Sequence, residues 1–390
     1  MEKPISARWL ILVLVHSGLI QAGVYVVRPM MSYQSVNLGA DATTVGLIGA
    51  TFALAPLVFA IQIGRWVDKG LAGMATFLGS IVALLVAVSL VFADQLWQIA
   101  LLLPLLGIGH LLAMVGGQTL IAQFSKDAKY EKNFGLLTFY ASLGQAAGPF
   151  VGGFLAQSEG SQAVVAPAIW FAAALFLAAA VVTLSIRNKL PSVARPKGDR
   201  ALTQVLRVPG YKPAIFVAGT TTAVVDVILI YLPLLGTAVG LSVAEVGALL
   251  AIRAVASMLV RYVLGSLGTR YGVKVILVAG SFVTFLGVLA ITLATNFVWL
   301  AILLFITGIA MGIGQPATMA WVSRISSPEN RGLAISVRLT ANRLGQVAIP
   351  VVAGSLATFG LSAIFYLLSG LMLMATAVSF RWAPGPGTKD

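Results

Sequence analysis

Long apolar runs recur along the chain at residues 9–29, 43–63, 74–93, 96–120, 134–156 and 164–186, and again at 210–233, 243–263, 274–294, 297–321, 332–357 and 362–382. A helix needs about 20 apolar residues to cross the hydrocarbon layer. The runs are continuously apolar rather than alternating, so they predict membrane helices and not barrel strands. The first is long and is followed by eleven more, which reads as a span and not as a cleaved leader. Polar breaks are short except at 187–209, which divides the pattern into two sets of six. The expected architecture is an all-α membrane protein with a six-helix bundle over 1–186, a linker over 187–209 and a second bundle over 210–390.

Composition sharpens this picture. Of 390 residues, 59% are hydrophobic and 9% charged, whereas soluble domains carry about 25% charged residues. So little charge cannot cover a water-facing surface. There is no cysteine, and the only histidines are His16 and His110, too few for a protein-built metal centre with its supporting partners. No nucleotide-binding loop or nucleophile–base arrangement is present, so neither a cofactor nor an enzyme is expected. A formal charge of +13 would suggest nucleic acid in a soluble protein, but its distribution points elsewhere. Lys3, Arg8, Arg65, Lys69, Lys126, Lys129, Lys132, the basic residues of 187–212, Arg270, Lys274, Arg324, Arg331, Arg381 and Lys389 all fall in alternate gaps. The remaining gaps hold only Asp41, Asp94, Glu159 and Glu245. The positive-inside rule then places both termini in the cytoplasm, with no nucleic-acid partner. Binding of anionic lipid by the basic loops for its own sake is the alternative reading.

The two sets of six resemble each other. Gly117-Gln118 matches Gly314-Gln315, Leu143-Gly144-Gln145 matches Leu344-Gly345-Gln346, and the turn at Gly64 matches that at Gly265. Such repeats mark transporters whose substrate site lies between the halves near mid-membrane. Three stretches then carry a closer resemblance. Gly64-Arg65-Trp66-Val67-Asp68-Lys69-Gly70 is similar to the loop signature G-x-x-x-D-R-x-G-R-K of the major facilitator superfamily. It is one residue short before the glycine and has Leu71-Ala72 in place of the basic pair. The copy from Gly265 through Thr269, Arg270 and Gly272 to Lys274 keeps the spacing but replaces the acid with Thr269. Gly135, Gly144, Gly148-Pro149 and Gly152-Gly153 resemble the antiporter motif of that superfamily's drug–proton exchangers, G-x8-G-x3-G-P-x2-G-G. The copy with Gly345, Pro350 and Gly354 is incomplete.

This resemblance spans essentially the whole chain. It implies the twelve-helix major facilitator fold, alternating access, an Asp68 loop that helps lock the outward-open state, and export rather than import. On the residues alone, Gly144, Gly148 and Gly152 form a smooth face where a neighbouring helix packs closely, and Pro149 bends its helix. Ordinary small-residue packing is the alternative for that stripe.

Ionisable groups inside a bilayer are costly and are functional candidates by default. Asp226, in the seventh run, is the one carboxylate far from a gap. The resemblance places runs one, four, seven and ten around the central cavity, so Asp226 is expected to carry the coupling proton. A structural ion pair with Arg253 or Arg343 is the alternative. His16 and His110, on runs one and four, are further proton candidates, with a packing hydrogen bond as the other reading of His16. Drug exporters of the superfamily carry an arginine in the fourth run, and none is present here. Arg28, Arg253, Arg338 and Arg343 outnumber the single deep acid, and arginine grips carboxylates bidentately, so the expected substrate is anionic or amphipathic. Arg261 reaches the membrane surface and is set aside, and Arg338 suits a structural or gating role. The expected substrate contacts are Gln21, Tyr25, Arg28, Gln118, Arg253, Gln315, Asn342 and Arg343, while Gln145 and Gln346 orient ligand or join helices.

The combined expectation is a monomeric, proton-coupled exporter of a small molecule in the inner (cytoplasmic) membrane, with the lipid bilayer and protons as its other partners. An importer or a lipid-linked flippase of the same fold is the nearest alternative. A non-transporting receptor or scaffold is the alternative from another class.

Overall fold

Apolar runs become helices, several of them longer than the run that announces them. The computed structural model describes residues 8–125, 127–159, 162–184, 200–327 and 331–385. Lys3, Lys126, Lys389 and residues 187–199 of the expected linker lie outside the described residues. In chain order come α1 (Arg8–Asn37), α2 (Ala42–Trp66), α3 (Ala72–Val91), α4 (Leu96–Phe124), α5 (Asp127–Leu155) and α6 (Ala166–Thr183). A short α7 (Arg200–Arg207) precedes α8 (Tyr211–Ala238), α9 (Val243–Ile291), α10 (Phe297–Ile325), α11 (Arg331–Leu356) and α12 (Leu361–Trp382). Between α5 and α6 an antiparallel hairpin pairs β1 (Gln157–Glu159) with β2 (Gln162–Val164). The amide of Asn37 holds β2 from its other side, donating to the carbonyl of Ala163 at 2.7 Å and accepting from its N–H at 3.4 Å.

Among the described residues, eight helical stretches are long and apolar enough to cross a membrane. Two of these, residues 42–91 and 243–291, are 50 and 49 residues long, roughly twice what one crossing needs. Each is broken by a glycine of the repeated loop. Gly70 (φ 86°) sits in a π turn, Val67–Leu71, between α2 and α3, and Gly272 (φ 78°, ψ 159°) breaks α9. Both need the positive φ that a side chain disfavours. This is the physical reason for the glycine in each copy. α11 is not among the eight, since Arg338, Asn342, Arg343 and Gln346 interrupt its apolar surface.

The helices gather into two compact units. The first comprises residues 1–40, 51–195 and 242–251; the second comprises 41–50, 196–241 and 252–390. Each unit therefore includes the first turns of one helix whose remainder belongs to the other, α9 in one case and α2 in the other. Within the first unit α1 packs on α4, α5 and α6, and α3 on α4 and α6. One of its apolar clusters joins Val13, Val67, Ala72, Leu120 and Leu137. Within the second, α8 is the central element, packed on α10, α11 and α12. Tyr211, Leu277, Trp321, Ala334 and Ala375 form a buried cluster there, with Val205 of α7 folded into it.

Two acids assigned to the gaps without Lys or Arg, Asp41 and Glu245, also have a local task. Asp41 accepts from the backbone N–H of Thr44 at 2.8 Å and caps α2, and its hydrogen bonds to Thr44 hold its carboxyl below the usual range. Ser242 and Glu245 form a capping box at the start of α9, with the N–H and hydroxyl of Ser242 each donating to the Glu245 carboxylate at 2.8 Å.

Candidate functional site

In the first unit the polar residues of α1 split between two neighbours. His16 is buried against α3, its Nε2 lying 3.0 Å from Ser80 Oγ. The Ser80 hydroxyl donates to the carbonyl of Thr76 at 2.9 Å, so it accepts from His16 Nε2–H. Such an arrangement fits a packing hydrogen bond. Gln21, one turn further along, donates through Nε2 to Met114 Sδ of α4 at 3.3 Å. Near the far end of α1, the Arg28 guanidinium stands 4.4 Å over the ring of Phe52. The same ring lies 5.8 Å from that of His110. Phe52 of α2 thus joins two residues that the sequence reading had treated separately, an interaction of about 2 kcal/mol on the cation side where water is excluded. A phenylalanine inside an apolar run carries no signal that would have marked it. Tyr25 and Gln118 are half-buried on α1 and α4.

The small-residue stripe of α5 lies against the backbone of α1. A Cβ added at Gly144 would stand 2.2 Å from the carbonyl oxygen of Gly18, and one at Gly148 2.4 Å from that of Ala22. At Gly152 the neighbour is Val26, 3.0 Å away. Gly153 faces the first turns of α9, where a Cβ would meet Val243 O at 2.8 Å and Gly247 Cα at 2.9 Å. Gly247 in turn lies over the carbonyl of Pro149. The second unit repeats the contact between α8 and α11, where a Cβ at Gly345 would meet the Gly219 carbonyl at 2.7 Å. The sequence copy in α11 is incomplete, yet the packing is kept. The tip of α2 is seated in the same unit, Tyr231 Oη donating to Ala42 O at 3.0 Å and Thr43 Oγ1 to Gly354 O at 2.8 Å. Gly46 lies under that phenol. In the repeated loop, Gly64 is buried, Asp68 half-buried and Lys69 exposed, while Gly265 and Arg270 of the second copy are exposed.

A polar hub centred on Gln315 ties together α8, α10 and α11. Gln315 Nε2 donates to Thr222 Oγ1, and that hydroxyl donates to Ala218 O at 2.7 Å. Its Oε1 accepts from Arg338 Nη2 at 2.9 Å and from Asn342 Nδ2 at 3.4 Å. Arg338, 1% exposed, also donates to Gln315 O and Thr318 Oγ1, both at 2.8 Å. The acceptors on this guanidinium are all neutral. They belong to α10 beside Pro316, whose missing N–H leaves the helix ladder one bond short. Arg338 therefore ties α11 to the turn of α10 that contains Pro316 and fixes which way the Gln315 amide faces. One turn along α11, Arg343 Nη1 donates to Gln346 Oε1 at 2.9 Å. Asp226 on α8 and Arg253 on α9 are buried in the same unit, 4% and 2% exposed. Thr222 and Thr318 carried no sequence signal, because hydroxyls in an apolar helix usually bond their own backbone. No group of three or more metal-ligating side chains occurs among the described residues.

Comparison with known proteins gives this arrangement its family. The profile described as Major Facilitator Superfamily matches residues 13–241 and 213–390. "Multidrug resistance protein MdtG" of Klebsiella pneumoniae (strain 342) is 26% identical over 294 residues, 72% of this chain and 69% of that relative. The protein of the same name from Dickeya zeae (strain Ech586) is 27% identical over 296 residues, 72% of this chain and 70% of its own. Among solved structures, a bacterial homolog of the human lysosomal transporter Spinster, inward-facing and unoccupied, superposes with a TM-score of 0.77 at 16% identity, over 99% of this chain and 100% of that one. The nucleoside transporter NupG gives 0.79 at 13% identity, over 96% and 98%. The family match covers both halves of the sequence, and the chain belongs to the Major Facilitator Superfamily, as a multi-pass membrane transporter and not an enzyme.

Proposed function

We propose that this transporter is a proton-coupled exporter of small anionic or amphipathic organic compounds. It would work by alternating access, as a monomer in the inner membrane. Twelve crossings form two six-helix bundles, 1–186 and 210–390, joined by 187–209, with both termini in the cytoplasm. The observation that carries export is the α5 stripe: Gly144 and Gly148 pack backbone to backbone on α1, Gly152 on the Val26 side chain, and Gly153 on the start of α9. Similarity to multidrug resistance proteins over 72% of the chain supports the same direction.

In this reading Asp226 carries the proton, and His110, whose ring lies tilted beside that of Phe52, is the alternative carrier. His16 recedes, because its imidazole is committed to Ser80. The proposed substrate contacts are Gln21, Tyr25 and Arg28 on α1, Gln118 on α4, Arg253 on α9, Gln315 on α10, and Asn342 and Arg343 on α11. An anion is favoured because a carboxylate bound to a buried guanidinium gains charge-assisted hydrogen bonds.

Flux tests the function. Protein in liposomes should move a compound chosen by a thermal-stability screen over organic acids, drugs and lipids; tight binding with no flux would make the chain a receptor instead. Orientation has its own test, aided by the absence of cysteine. Single cysteines at Asp94 and Glu159 should react with an impermeant thiol reagent from outside intact cells, and those at Lys129 and Lys197 should not. The reverse pattern would invert the proposed topology.

A further inference from the structure

Cations and aromatic rings interleave at one end of the second unit. α9 reverses at Gly272, flanked by Arg270, Tyr271 and Lys274, and α12 ends in Phe380-Arg381-Trp382. The two segments meet, since Lys274 Nζ lies 5.1 Å from the ring centroid of Phe380. Arg381 stands 5.7 Å over Trp382, and Arg270 5.2 Å over Tyr271. These rings face outward, Phe380 being 65% exposed and Trp382 46%. No Asp or Glu occurs in residues 246–328 or 330–389, so neither segment supplies an acid to neutralise the cations.

We propose that this corner, between the arm of α9 after Gly272 and the end of α12, binds the phosphate headgroup of an anionic phospholipid. Lys274 and Arg381 hold the phosphate, and Phe380 and Trp382 lie at headgroup level beside it. Lipid-facing aromatics settle where hydrocarbon gives way to water. A cation held at that depth attracts an anionic headgroup, and no acid on either segment competes for it. Topology alone accounts for basic residues at this end of the bundle. It does not account for a lysine on one helix laid across an outward-facing ring of another.

The test uses the full chain in nanodiscs of phosphatidylcholine, with or without phosphatidylglycerol, and native mass spectrometry to count the lipids retained after mild delipidation. Wild type should retain phosphatidylglycerol in preference to phosphatidylcholine. Each lost cation should weaken retention about fivefold, hence about 25-fold for K274Q/R381Q. K274R/R381K should retain the lipid, separating charge from packing. R207Q/R324Q removes equal charge from exposed positions at the same end and should change retention little. Equal loss in the two glutamine pairs would overturn the site in favour of diffuse surface charge. No preference in wild type, or displacement of the lipid by inorganic phosphate, would overturn it as well. The readout involves no transport, so it stands or fails apart from the proposed export.

Discussion

Gly148→Val should abolish transport while leaving a protein that can be purified and is helical. The first atom of the new side chain would stand 2.4 Å from the carbonyl oxygen of Ala22 and 3.0 Å from its Cα. Those are backbone atoms of α1, so no rotamer relieves the overlap. Overpacking of this kind costs about 1–3 kcal/mol, occasionally more, and here the strain is relieved only by parting α1 from α5. Gly148→Ala should show the same defect in milder form. Gly135→Val is the control, since a Cβ there meets nothing within 4 Å on the same helix, and it should transport nearly as wild type. Flux per purified molecule and melting temperature, measured on the three variants together, decide the matter. Normal flux in Gly148→Val would reduce the α5 stripe to incidental small-residue packing.

Arg338→Met should give the largest loss of stability among the intramembrane arginines with mapped bonds, on the order of 2–3 kcal/mol. It removes the donor that bridges Gln315 O, Gln315 Oε1 and Thr318 Oγ1. Lysine keeps the charge but not the planar fork, so Arg338→Lys should recover little. Gln315→Leu removes one acceptor of the same hub, and the double variant should therefore lose less than the sum of the two single losses. Melting temperatures of the four proteins complete the cycle. Additive losses, or full recovery with lysine, would show that Arg338 acts as a charge and not as the hydrogen-bonding brace between α11 and α10.

Much of the fold was legible because lipid imposes a coarse rule. A crossing helix must be apolar over most of its length, so most of the runs coincide with helices, although α11 carries Arg338, Asn342, Arg343 and Gln346 within its run. The helix ends were harder. α1 continues to Asn37 and α5 begins at Asp127, because a helix does not stop where its apolar window ends when the polar residues beyond it are also compatible with helix. The repeated loop was readable as a turn in each half, but the sequence match placed the turns at Gly64 and Gly265, which lie inside helices, whereas the breaks stand at Gly70 and Gly272, where φ is positive.

Partners across long sequence separation were not readable. Tyr231 meets Ala42 at a separation of 189 residues, and His16 meets Ser80 at 64; neither pair leaves a local pattern. Phe52 looks like any apolar core residue until Arg28 is seen above it. The acids Asp41 and Glu245 entered the topology argument as charges, but their hydrogen bonds to Thr44 and Ser242 belong to helix capping. Arg338 was set apart by its place near the end of its run as structural or gating, but nothing in the sequence paired it with the neutral acceptors that hold it, Gln315 and Thr318.

The central claim is that protons entering the cell drive substrate out through Asp226. The direct measurement is uptake into liposomes containing the protein with its cytoplasmic face outward, under an imposed gradient with the lumen acidic. The account predicts that wild type concentrates the substrate and releases it when the gradient is collapsed. Asp226→Asn should lose this driven uptake and still exchange labelled for unlabelled substrate at equal pH, because exchange moves no net proton. Wild-type uptake that ignores the gradient, or undiminished driven uptake by Asp226→Asn, would contradict it.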